Sequence, residues 1–143
     1  MAQHIAQVNL AKSKWPQGSP EMDSFISQLE TINNLAAESE GFVWRVLPNP
    51  TRELALFGPG VLVNMSVWES LEHLKQFTYM SSHKFVMQDR KKWFEPMETA
   101  HFAMWHIEAG TVPSLIEAKR RLDHLTEHGE TDYAFTFRSK MQP

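Results

Sequence analysis

Apolar residues recur at every second position in residues 4–11 (HIAQVNLA), with Ala6, Val8 and Leu10 on one side and Ile5, Gln7 and Asn9 on the other. That period of two predicts a first strand with one wholly apolar face and one mixed face. Pro16 and Gly18 then break the chain, and Ser19, Pro20 and Glu21 read as the start of a helix. Met22, Phe25, Ile26, Leu29, Ile32, Leu35 and Ala36 follow at three-and-four spacing, one apolar stripe along the helix, and Gly41 stops it. Residues 42–47 (FVWRVL) predict a second strand, closed off by Pro48, Asn49 and Pro50, with residues 53–57 extending a hairpin. In residues 60–68 (GVLVNMSVW), Val61, Val63, Met65 and Val67 share one face of a third strand, and Leu62, Asn64, Ser66 and Trp68 share the other. Residues 70–80 and 82–94 carry two helical patterns with a break at Ser81-Ser82. Residues 99–109 return to strand character, and residues 113–128 form an amphipathic helix with Leu115, Ile116, Leu122 and Leu125 inward, ended by Gly129. Residues 133–137 are apolar enough to dock on the rest.

The order β-α-β-β-α-α-β-α predicts an α+β fold: a ferredoxin-like, four-stranded antiparallel sheet with helices on one face. The other face would then carry Ile5, Leu62 and Trp68 beside only Gln7, Asn9, Asn64 and Ser66, too apolar a mixture for open water. A second copy of the chain covering that face would bury it. This predicts a homodimer, a dimeric α+β barrel enclosing a cavity with few polar groups, suited to a hydrophobic or aromatic small molecule. The same Asn and Ser side chains are equally suited to hydrogen bonding within a solid interface.

Composition narrows the classes. At 143 residues, with 42% hydrophobic and 22% charged residues and a net charge of -3, residues 1–143 read as one globular domain rather than a disordered chain. The basic runs Arg90-Lys91-Lys92 and Lys119-Arg120-Arg121 sit in helical patterns with acidic neighbours, so no nucleic-acid partner is expected. With no cysteine, disulfides, thiolate nucleophiles and Cys-ligated metals are excluded. No basic leader precedes an apolar run, and no window approaches ~20 apolar residues, so no membrane partner and a cytoplasmic location are expected.

Candidate chemistry therefore falls to other groups. Asn9, Asn64 and Ser66 project from neighbouring strands toward one interior, where amides can orient a carbonyl or phenol and stabilise a developing enolate. Of Trp44 and Arg45 one faces inward, either as a flat wall or as a cation for an acidic group. Trp68, Trp93 and Trp105 are further candidates for ligand contact, although core packing explains most aromatic residues. Tyr79 is a proton donor if buried. His83 is a candidate general base, with Arg90 on approximately the same helix face. His101 and His106 have opposite parity, so at most one of them points inward, and His106 is the candidate second acid or base. His124 and His128 stand four apart on a helix without a third ligand nearby, and no metal is expected there.

Residues 5–11 (IAQVNLA), 22–45 (MDSFISQLETINNLAAESEGFVWR), 62–77 (LVNMSVWESLEHLKQF), 81–94 (SSHKFVMQDRKKWF) and 127–138 (EHGETDYAFTFR) resemble an uncharacterised family, a domain of unknown function. That family looks related to the dimeric α+β barrel superfamily of antibiotic-biosynthesis monooxygenases and haem-degrading enzymes. The resemblance covers nearly the whole chain. It implies a small-molecule enzyme of specialised or catabolic metabolism, of monooxygenase, cyclase or haem-dependent type, or else a non-catalytic binding protein for a hydrophobic or aromatic ligand. The cofactor it implies is none or haem. The placement of His83 after the WES segment resembles that of the iron-ligating histidine in haem-binding relatives.

Overall fold

The computed structural model describes residues 2–16, 18–84 and 93–140, with the side chains of 81–84 and 139–140 outside the description. The alternating first segment becomes β1 (Gln3–Ser13), the centre of an antiparallel sheet. β2 (Phe42–Arg45) pairs with β3 (Val61–Trp68), and β3 pairs with β1. The other edge of β1 is shared by β5 (Phe102–Glu108) along Gln3–Asn9 and by the two-residue β4 (Phe94–Glu95) at Lys12 and Ser13. The order β2-β3-β1-β5 is that of a split βαβ arrangement, as the element pattern predicts.

Helices cover both faces of this sheet. α1 (Asp23–Glu38), entered through a short 3-10 turn at Pro20–Met22, and α3 (Leu71–Lys84) lie over the mixed face, where Ala36 and Leu74 pack with Ile5, Trp68, Met104 and Phe135. α4 (Leu115–His128) lies over the wholly apolar face: Leu115, Ala118, Leu122 and Leu125 pack on Ala6, Val8, Met65, Val67 and Trp105. Leu56 and Phe57 of α2 (Pro50–Phe57) join that cluster. The expectation of helices on one face only is thereby corrected: α1 and α3 lie over part of the Asn9, Asn64 and Ser66 face, and α4 lies over the other. The apolar stripe of α1 and that of α4 seek opposite sides of one sheet, so α1 packs on one end of the mixed face through Ala36.

Three boundaries also differ from expectation. Residues 53–57 belong to α2 and not to a hairpin. Asn49 caps that helix, its Oδ1 accepting from Arg52 N at 3.2 Å, while Glu53 Oε2 accepts from Asn49 N at 2.8 Å and Pro50 takes the first turn. α3 runs through Ser81-Ser82 without a break, and Phe94, expected in a helix, sits in β4. Ser19 does not cap the first helix; its hydroxyl donates to Pro16 O at 2.6 Å. The tail docks as expected: Phe135 is wholly buried and exchanges two backbone hydrogen bonds with Met104, and Phe137 begins a last short turn, α5 (Phe137–Lys140).

A candidate ligand cavity

The mixed sheet face does not meet α1 and α3 along its whole length. Between them lies a cavity of about 1020 Å³ that continues past the end of β2 toward α2. Strand parity dictates its floor: Gln7 and Asn9 on β1, and Leu62, Asn64, Ser66 and Trp68 on β3, all side chains of one face. A bulge in β2, where Phe42 pairs with Trp68 and Trp44 with the adjacent Val67, brings Phe42 and Arg45 to this same face despite their odd spacing.

Gln7 is the hub of the floor and is almost fully buried. Its Nε2 donates to Asn64 Oδ1 at 2.9 Å and to Ser66 Oγ at 2.8 Å, and its Oε1 accepts from Asn9 Nδ2 at 3.0 Å. Asn9 Nδ2 also reaches Asn64 Oδ1 at 3.4 Å, and Trp68 Nε1 donates to Ser66 Oγ at 2.9 Å. The indole nitrogen can only donate, so Ser66 Oγ is fixed as an acceptor there. In this arrangement three groups have no partner among the described residues: Asn64 Nδ2, the Ser66 hydroxyl proton and Asn9 Oδ1. The network thus satisfies most of its own groups and leaves two donors at the cavity surface, where low surrounding polarity strengthens any hydrogen bond they make.

The walls are aromatic. Phe42 meets Trp68 edge-on at 5.4 Å, and Phe77 stacks on its other side at 5.0 Å. Phe25 packs against Trp93 and Phe94 at 5.6 and 4.8 Å, and Phe102 stacks with Phe137 at 5.4 Å. Such clamping fixes the ring planes that a ligand would slide between.

Asn9, Asn64, Ser66, Arg45, Trp68 and Trp93 therefore all border one cavity. Trp44 instead packs with the apolar cluster on the other face, so of the two alternatives it is Arg45 that faces the cavity. Trp105 is corrected: it follows Met104 by one residue, points to the opposite face, and is fully buried beneath α4, where the Arg121 guanidinium lies over it at 5.4 Å. Tyr79 is corrected too, being 69% exposed on the outer side of α3. His106 is exposed with its ring 5.4 Å from that of Phe135 and does not border the cavity; His101 does, at its exposed rim. His83 lies in the last turn of α3 with its side chain outside the description, and Arg90 lies outside the described residues. Among the described residues no group of three His, Asp or Glu side chains could hold a metal ion, and no helix is long and apolar enough to cross a membrane. Gln7 was absent from the expected site because a lone glutamine on a strand signals nothing until its neighbours across the ladder are known; the register Gln7–Ser66 and Asn9–Asn64 supplies them.

No curated protein matches the chain. A family model described as "Domain of unknown function (DUF3291)" matches residues 4–143, nearly the full length over which the cavity and its walls are built. The chain belongs to that family.

Proposed function

We propose that the protein takes a planar, largely apolar molecule carrying a carbonyl or phenol oxygen into this cavity and acts on it as a small-molecule enzyme of the monooxygenase or cyclase kind. The observation that carries the reading is the pair of donors left over on the floor, Asn64 Nδ2 and the Ser66 hydroxyl, in a cavity otherwise walled by Phe25, Phe77, Trp68 and Phe102. Two fixed donors aimed at a ligand oxygen favour its anionic form, the enolate or phenolate, which is the electron-rich species such reactions begin from. The polar floor and these aromatic walls all come from one chain, and a second copy would close the open side of the cavity without changing them. A haem-dependent version rests on His83, and no step here depends on it.

Asn64→Asp is the test, since it keeps the Oδ1 acceptor for Gln7 and replaces the outward donor with an acceptor. With an aromatic polyphenol as substrate, wild-type protein should consume oxygen or cyclise the compound, and the variant should lose about 10²–10³ in rate. Equal turnover by both would overturn the assignment of the floor. Binding by wild type with no turnover of any carbonyl or phenol compound would leave the non-catalytic binding protein as the function.

A further inference from the structure

The cavity floor also carries an unspent positive charge. Arg45 pairs with Ser66 across β2 and β3, and Ser66 pairs with Gln7 across β3 and β1, so Arg45, Ser66 and Gln7 form one row across the sheet. Neighbouring strands lie about 4.8 Å apart. The Arg45 backbone is therefore a single strand spacing from that of Ser66, and Asn64 is two residues along the same strand on the same face. Arg45 is half-buried, borders the cavity and has no ion-pair or hydrogen-bond partner among the described residues. Among the described residues Glu53 is the one carboxylate in the cavity lining; its Oε2 accepts from Asn49 N at 2.8 Å in the α2 cap, and it makes no ion pair with Arg45. In a chain whose net charge is -3, a guanidinium left unpaired beside two free neutral donors is set for an anion, and its planar fork matches a carboxylate.

We infer that the ligand is an aromatic or similarly planar carboxylic acid, its carboxylate held by Arg45 and its ring oxygen by Asn64 and Ser66. This rests on the cavity reading above and adds the acid group to it. The carboxylate fixes the direction in which the molecule enters: the acid end stays by the edge strand β2, close to the cavity rim, and the apolar end is driven inward between Phe25, Phe77 and Phe102.

Calorimetric titration of the full chain with hydroxybenzoates and with their methyl esters tests this. Wild type should prefer each acid over its ester by roughly tenfold to a hundredfold, the worth of a hydrogen bond to a charged group. Arg45→Gln should reduce acid affinity to that of the ester, and added salt should weaken acid binding alone. Acid and ester binding equally to wild type, or an acid preference that survives in Arg45→Gln, would overturn the inference while leaving the cavity reading intact. Failure of acids, esters and neutral phenols alike would sink both. An unchanged urea midpoint for Arg45→Gln shows that any loss is not unfolding.

Discussion

Replacing Gln7 by Met is the perturbation that separates a built polar floor from incidental polar residues. Methionine has the length and unbranched shape of glutamine, so the substitution leaves little void. It removes the three hydrogen bonds that Gln7 makes to Asn64, Ser66 and Asn9. At roughly 0.5–1.5 kcal/mol each, these sum to about 3 kcal/mol. Asn9 and Asn64 are only half-buried at the cavity surface, where water can take over part of the bonding, whereas Gln7 and Ser66 are buried. The net loss should therefore fall near 2 kcal/mol, a lowering of Tm by roughly 4–8 °C at this chain length. Urea unfolding should show a lower midpoint with an unchanged m-value, meaning a destabilised fold and not an expanded one. Ligand affinity should fall with it, because Asn64 and Ser66 would no longer be held in orientation. A loss under about 0.5 kcal/mol together with unchanged affinity would refute the hub role of Gln7.

Other consequences are independent of the ligand. Gly41 has φ +85°, and a Cβ there would collide with the His73 ring and with the His73 Cβ; Gly41→Ala should destabilise by about 2 kcal/mol or more, and adding His73→Ala should recover only the ring's share of the clash, leaving the Cβ contact and the backbone strain, read as a double-mutant cycle in urea. Leu122→Ala empties a buried position between α4 and the apolar sheet face and should cost about 2–5 kcal/mol by the same measurement, without changing ligand selectivity. Titration with haem followed at the Soret band should give no absorbance change that His83→Ala abolishes; a His83-dependent Soret band would make the protein a haem binder instead.

Much of the sheet was legible because period-two alternation survives in β1 and β3, and the polar members Asn9, Asn64 and Ser66 come out on one face directly from it. What covers that face was not legible. Alternation says that a face is half-apolar, but not whether α1 of the same chain or a second chain lies on it, since the stripe Met22 to Ala36 fits either side of a sheet. α2 was missed although its start was written in Asn49, Pro50 and Glu53; three turn-forming residues in a row suggest a break before they suggest a cap. The parity of Trp105, opposite to Met104 and His106, is legible, but which of the two sets shares a face with Asn9 follows only from the register Gln7–Met104 and Ala6–Trp105. Arg45 and Trp44 could not be ordered from sequence, because the bulge at Val43 that shifts their register leaves no mark in residue type.

The most direct test of the central claim is a crystal structure with a bound hydroxybenzoate. The ring should lie between Phe77 and Phe102, with an oxygen within about 3.2 Å of both Asn64 Nδ2 and Ser66 Oγ and the carboxylate on Arg45. A ligand seated beneath α4 on the apolar face, or held only between two copies of the chain, would contradict the account.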